Sequence, residues 1–176
     1  MKLKDFASLK GEVLIQSINE FGEISTLVED KNLIVSYGRN NICNGLVGNP
    51  SSYVYDVVFG NGGTIPGNVN VALSVLPGEV AVKSPISASN GKDYIFTKVA
   101  ETSPSPRAIF SIVLPKLVPS TYSNQSYITS LNGQGISEIA LMLNTSPTAN
   151  AFAIKRFPSI SKSDLVSIII TWTIYV

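Results

Sequence analysis

The stretch VSIIITWTIYV, residues 166–176, decides the fold class of this 176-residue chain. Its even positions carry valine, isoleucine or tryptophan, whereas serine, threonine and tyrosine occupy all but one of its odd positions. Alternation with period two, together with β-branched and aromatic side chains, is typical of a half-buried strand. We therefore predict a central strand here, whose buried face supplies the structural core residues Val166, Ile168, Ile170, Trp172 and Ile174.

Further strands are predicted upstream, where short apolar runs lie between turn-forming residues. They cover residues 11–18, 23–28, 54–59, 93–101, 107–114, 136–143 and 149–157, the last ending at Pro158. Residues 19–22 suit the turn of a hairpin between the first two strands. One segment differs, because Ile42, Leu46 and Val47 recur at helical spacing and predict a short helix near residues 37–47.

Together these elements predict a mainly β fold: an antiparallel β-sandwich, or a partly open barrel, with one short helix. The length fits one domain, which we place at residues 11–176, after an N-terminal arm of residues 1–10. The segment 66–90 is rich in proline, glycine, serine and asparagine. We interpret it as a long connection with room for one short strand.

The charge of the chain is low and balanced, with 14% charged residues and a formal net charge of +1. Binding to nucleic acid needs a basic stripe that neutralises phosphates, so nucleic acid is not an expected partner. No apolar run reaches the roughly 18 residues of a membrane span, and the first residues lack the pattern of a signal peptide. Cys43 is the single cysteine, which fits assembly in a reducing cytoplasm.

The residue types that carry catalysis are scarce. Histidine is absent, which removes the commonest general base and every Ser-His or Cys-His dyad. A single cysteine does not build a thiolate metal site, and no calcium-loop pattern occurs. The glycine-rich segment 60–64 lacks a P-loop lysine and is interpreted as a tight turn. We therefore predict no catalytic residues, no metal and no cofactor.

One carboxylate, Glu138, falls inside a predicted strand, between Ile136 and Ala140 on the same face. A buried carboxylate must be paired, so it serves either as a structural hydrogen-bond acceptor or as an acid or charge at a subunit contact. Arg39, at the start of the predicted helix, either pairs with such a carboxylate or is solvated. The expectation is an internal ion pair between Arg39 and Glu138.

Several short motifs occur in an order that resembles small bacteriophage virion structural proteins of the tail-fibre, baseplate or collar type. The first is KNLIV at residues 31–35, followed by Gly38, Arg39 and Asn40 and a short apolar helix. Then come VVFGNG at 57–62 and ISEIAL at 136–141, and the chain closes with KRFPSISK at 155–162 and ITWTI at 170–174. Tyr37 departs from the family pattern, where a small or polar residue is usual.

The resemblance implies a non-enzymatic structural subunit of a phage particle, located in the virion and assembled in the host cytoplasm. Its implied partners are copies of itself and other virion structural proteins, with contacts in the tail, neck or baseplate region or at a fibre anchor. The alternative is a carbohydrate- or receptor-binding β-sandwich module. That module would use exposed aromatic side chains, for which the candidates are Tyr53, Tyr55, Tyr94, Tyr122 and Tyr127. An enzyme would need two carboxylates converging in a cleft.

Overall fold

The computed structural model describes residues 10–34, 36–46, 53–61, 94–102, 105–116, 131, 133–143 and 151–175. Within these ranges the chain forms nine strands and one helix. They are β1 (Lys10–Ile18), β2 (Ile24–Lys31), β3 (Leu33–Ile34), α1 (Ser36–Leu46), β4 (Val54–Gly60), β5 (Ile95–Glu101), β6 (Arg107–Leu114), β7 (Gly135–Leu143), β8 (Ala151–Ser161) and β9 (Ser167–Tyr175). Lys10 belongs to β1 and not to an arm. The rest of the predicted arm and the predicted connection 66–90 lie outside the described residues.

The described residues form two open antiparallel sheets, which confirms the predicted β-sandwich-like class. Sheet A has the strand order β2-β1-β9-β6-β5, and sheet B has the order β3-β8-β7-β4. The strand β9, predicted from its alternation, is the middle strand of sheet A, and it is hydrogen-bonded to β1 on one side and to β6 on the other.

The main hydrophobic core lies between the two sheets, because side chains from both contribute to a single buried cluster. From β9 this cluster takes Ile168, Ile170, Trp172 and Ile174, each at most 3% exposed. Val166 precedes β9 and is half-buried. At roughly 1.5–3 kcal/mol for each fully buried aliphatic side chain, this inner face is a major source of stability for the fold.

The hairpin between β1 and β2 is closed by Asn19. Its side-chain Oδ1 accepts hydrogen bonds from the backbone nitrogens of Phe21 (3.0 Å) and Glu23 (2.9 Å), which is the usual turn-forming role of asparagine. Gly22 has a φ of 83°, in the left-handed region that glycine adopts without steric cost. The local sequence therefore accounts for this turn.

Strand β8 departs from its prediction, since it continues through Pro158 to Ser161 instead of ending at the proline. The register with β7 explains why. Ile136 faces Ile160 and Glu138 faces Arg156, so the three residues 157–159 bulge opposite Ser137 alone. Proline has no N–H to donate, and a bulge is where a sheet tolerates it.

The helix α1 occupies residues 36–46, within one residue of the predicted bounds, and it packs against β8. A glycine is required at its contact with the strand. A Cβ at Gly38 would collide with the backbone carbonyl oxygen of Phe152. The chain reaches this helix through β3, a two-residue strand that pairs with Ile154 and Ala153 of β8 and that the sequence pattern did not predict.

Candidate functional site: the outer face of sheet A

The face of sheet A that points away from the core is five strands wide. Its side chains alternate with the core positions, so the strand register fixes which residues belong to it. We call this set the outer face. It comprises Ile24, Thr26, Glu29 and Lys31 of β2, Lys10, Glu12, Leu14, Gln16 and Ile18 of β1, Ser167, Ile169, Thr171, Thr173 and Tyr175 of β9, Arg107, Ile109, Ser111 and Val113 of β6, and Ile95, Thr97, Val99 and Glu101 of β5.

One end of the outer face carries charge. The Nη2 of Arg107 lies 2.5 Å from the Oε2 of Glu101, its cross-strand neighbour. The hydroxyl of Tyr175 donates a hydrogen bond of 2.9 Å to the Oε2 of Glu12. Glu101 raises the pKa of the Arg107 guanidinium, and Glu12 raises the pKa of the Tyr175 hydroxyl. This end is therefore a network of satisfied polar contacts.

The opposite end of the outer face, which we call the aliphatic end, is mainly aliphatic and also carries Gln16 and Thr26. The register aligns Gln16, Ile169, Val113 and Ile95 in one row across four strands. Ile95 is 51% exposed, and Ile24 on the neighbouring row is 63% exposed. Tyr175 and Ile169 are six residues apart on β9, which separates the charged row from this row by about 20 Å at roughly 3.3 Å per residue. The face thus changes from polar to apolar along its length.

A shallow groove of about 350 Å³ lies over β2, β1 and β9, between these two ends. Glu12, Glu29 and Lys31 supply its charged groups, and Thr171 and Thr173 supply hydroxyls. Within the part of the chain that the structure describes, no group of three histidine, cysteine, aspartate or glutamate side chains is arranged to hold a metal ion.

The expected ion pair of Glu138 has a different partner. Glu138 is fully buried on β7, and its Oε2 is 3.1 Å from the Nε of Arg156, which lies directly opposite on β8. Arg39 is exposed on α1. The motif that contains Arg156 and Phe157 gave no sign of this ion pair, because only the register between β7 and β8 places Arg156 opposite Glu138.

A second ion pair joins the two sheets. Lys155 of β8 points toward sheet A, where its Nζ lies 2.5 Å from the Oδ2 of Asp30 and 2.9 Å from the backbone oxygen of Lys31. The hydrogen bond from Lys155 lowers the pKa of Asp30. The side chain of Lys155 is 7% exposed, so this pair holds the edge of the sandwich together.

Lys162, in the closing motif, is also buried. Its Nζ donates a 2.5 Å hydrogen bond to the backbone oxygen of Ser163, and burial lowers its pKa. The backbone of Lys162 bonds to Gly133 and Gln134, so this residue fixes the turn before β9 to the loop before β7. Its position is structural.

The tyrosines considered for the carbohydrate-binding alternative differ in their exposure. Tyr53, just before β4, is 48% exposed, and Tyr55, within β4, is 60% exposed. Tyr94 is half-buried, donates a hydrogen bond to Asp56, and packs edge-on against Phe59 at 5.5 Å between ring centroids. Tyr122 and Tyr127 lie outside the described residues.

Comparison with protein families, curated proteins and solved structures gives no match. Among the helices of the described ranges, none combines the length and the apolar character needed to cross a membrane.

Proposed function

We propose that this protein is a non-enzymatic structural subunit of a phage particle, assembling through protein–protein contacts in the tail, neck or baseplate region or at a fibre anchor. The observation that carries the proposal is the outer face of sheet A, a broad sheet surface with an aliphatic end and a charged end. The order of the sequence motifs supports the phage context.

The outer face combines aliphatic and charged side chains, and protein interfaces use both. Such interfaces have an apolar centre depleted of charge, surrounded by a polar rim. Ile169 and Val113 lie in the middle strands of the aliphatic end and are half-buried by their neighbours, while Ile24 and Ile95 remain exposed on the edge strands. Exposed apolar side chains gathered at one end of a sheet face favour a contact site there.

The charged end adds specificity to such a contact. The pair of Glu101 and Arg107 is about one-third exposed on both sides, so its net contribution to the stability of the fold is small. Across an interface the same charges orient a partner and disfavour a wrong one. The groove lined by Glu12, Glu29 and Lys31 offers groups of both charges to polar side chains of the partner.

The experiment is to test whether the chain is an integral component of purified phage particles from its source. Quantitative mass spectrometry of these particles should find it at a fixed copy number, and an antibody against it should label one defined position in electron micrographs. Absence from the particles, or a copy number that falls with each purification step, contradicts the proposal.

A matched pair of variants tests the outer face itself. Ile169→Lys replaces an apolar side chain at the aliphatic end, and should abolish incorporation into particles while leaving the subunit folded. Asn40→Lys, on the exposed side of α1, should leave incorporation unchanged. If both variants are incorporated like the wild type, this face is not the assembly surface.

The carbohydrate-binding alternative has its own observation, the two exposed rings of Tyr53 and Tyr55. Lys98 lies near this patch, with its Nζ 5.6 Å from the centroid of the Tyr53 ring. A glycan array probed with the wild type and with the double variant Tyr53→Ala/Tyr55→Ala separates the two functions. Binding that the double variant loses favours the module.

A further inference from the structure

The edge strands of the two sheets differ in how well they are protected from pairing with another chain. Unpaired backbone N–H and C=O groups along an edge form a template for a further strand, and proteins block such edges with bulges, charges or short strands. The described residues form four edges, namely β2 and β5 in sheet A and β3 and β4 in sheet B.

Three of these edges carry a recognisable protection. The pairing of β2 with β1 contains a bulge, and β2 ends in the charged residues Glu29, Asp30 and Lys31. The pairing of β4 with β7 also contains an irregularity, between Val54 and Asp56. The remaining edge of sheet B, β3, has only two residues.

The fourth edge, β5, has no bulge and is not short, and its two charged residues are Lys98 and Glu101, of which Glu101 is paired with Arg107 of β6. Its seven residues pair with β6 in unbroken register from Ile95 to Glu101. Ile95 is 51% exposed and Val99 is 55% exposed, and both project from the outer face. A regular, apolar, exposed edge strand is the arrangement that accepts another strand by backbone hydrogen bonding.

Lys98 is the charge that would be expected to block this edge, but its side chain is held inward. Its Nζ donates a 3.1 Å hydrogen bond to the backbone oxygen of Val54 in sheet B. It also lies 5.7 Å from the ring centroid of Phe96. The ammonium group is thereby directed toward sheet B, and no strand of the described residues pairs with the outer backbone edge of β5.

We propose that β5 pairs antiparallel with β5 of a second copy of this chain, with the two-fold axis at Thr97. In this register Ile95 faces Val99 of the second copy, Val99 faces its Ile95, and the two Thr97 side chains face each other. The strand is therefore self-complementary on the outer face. Two sheets A join into one continuous sheet of ten strands, since each contributes five.

Neighbouring registers are less favourable. An axis at Lys98 would place two lysines opposite each other and would set Ile95 against Glu101 of the second copy, which costs stability through like charges and unmatched polarity. An axis at Val99 would make one apolar pair, Val99 with its own copy, but it would pair Thr97 with Glu101 and place Ile95 beyond the end of β5 of the second copy. The apolar pairing of Ile95 and Val99 selects the register centred on Thr97.

This pairing extends the proposed function by identifying a second copy of the chain as one partner. The biological role of the dimer rests on that proposed function. The pairing also makes the two outer faces contiguous across the new strand pair. The aliphatic positions Ile95 and Val99 would then lie at the centre of the joined surface and not at its margin.

Cysteine cross-linking tests this register directly. In a Cys43→Ser background, which removes the exposed native thiol, Thr97→Cys should form a disulfide-linked dimer under mild oxidation. Directly opposite residues of an antiparallel pair have Cα atoms about 4.5–5.5 Å apart, within the range of a disulfide. Val99→Cys alone should not cross-link, because its two copies are separated by about 13 Å along the strands at roughly 3.3 Å per residue.

A mixture of the Ile95→Cys protein and the Val99→Cys protein supplies the complementary measurement. It should yield the mixed dimer in preference to either self-linked dimer, because these two positions face each other. Equal cross-linking at positions 95, 97 and 99 means random collision and overturns the register.

Sedimentation of the unlinked protein then tests the dimer itself. The wild type should associate, and Val99→Lys should shift it to monomer with an unchanged far-ultraviolet circular dichroism spectrum. A wild type that stays monomeric up to millimolar concentration overturns the proposal. A dimer found for a chain that is absent from phage particles would contradict the proposed function alone, and a monomer that is incorporated into particles would contradict the pairing alone.

Discussion

Glu138 of β7 and Arg156 of β8 lie directly opposite each other in sheet B, with 3.1 Å between Oε2 and Nε, and both side chains are buried. The pair contrasts with Glu101 and Arg107 of sheet A, which have the same chemistry and the same cross-strand relation but are more than one-third exposed. Burial is therefore the main difference between two otherwise similar ion pairs, and it determines their energetic roles.

Removing one member of the buried pair should strongly destabilise the fold. Arg156→Met removes the cation that lies opposite the buried Glu138 carboxylate, and breaking a buried pair in this way costs about 3–5 kcal/mol. The double variant Glu138→Leu/Arg156→Met should lose less than the sum of the two single variants, since neither charge remains. Urea unfolding of the four proteins measures this coupling.

The pair of Glu101 and Arg107 is the control for that cycle. Solvent screens its charges, so the same substitutions there should give a much smaller coupling free energy. Equal coupling at the two sites would show that burial does not decide the strength of either pair.

A charge introduced at each of two adjacent positions of β9 should destabilise the fold strongly at one and little at the other. Ile170→Lys places an ammonium group in the core between the sheets, which should cost several kcal/mol or force loss of its proton. Thr171→Lys projects from the outer face beside the groove of Glu12 and Glu29, and should change the thermal midpoint little. Soluble yield and thermal midpoint of the isolated variants test this, and equal tolerance would contradict the inward orientation of position 170.

Acid should weaken the contact between the sheets through Asp30. The pKa of Asp30 is lowered in the folded state by the hydrogen bond from Lys155, so the pair stabilises the fold above the ordinary aspartate pKa of about 3.9. That stabilisation is lost as the pH falls through the lower folded pKa, because the carboxyl group then becomes protonated. The difference in unfolding free energy between wild type and Asp30→Asn should therefore shrink from pH 6 to about pH 2, when followed by urea titration. A difference that does not vary with pH would show that the ionised carboxylate contributes nothing.

The packing of α1 on β8 should be sensitive to a single methyl group. Gly38→Ala adds a Cβ that collides with the carbonyl oxygen of Phe152, and overpacking of this kind typically costs about 1–3 kcal/mol. The loss should occur although alanine favours a helix over glycine by about 1 kcal/mol. Asn40→Ala, at an exposed position of the same helix, should be neutral or slightly stabilising. A gain in thermal midpoint for Gly38→Ala would mean that the helix moves freely on the strand.

The sequence alone determined the features that depend on local pattern. The alternation in residues 166–176 predicted a strand and its buried side chains, since β-branched residues in period two leave few other conformations. The turn at Asn19 and the helix near residue 37 were predicted for the same reason, because their signals lie within a few neighbouring residues. The absence of histidine excluded histidine-dependent chemistry without any structure.

Only the tertiary structure decided which distant segments meet. Arg156 is the partner of Glu138 because of the register between β7 and β8, and Pro158 remains inside β8 because a bulge there requires no N–H. The unbroken exposed edge of β5 emerges only when all strand pairings are known. Strand pairing joins residues that are far apart in the chain, through side-chain packing and backbone hydrogen bonds. Each strand offers the same backbone groups to many possible partners. Local sequence therefore specifies a strand but not its neighbour.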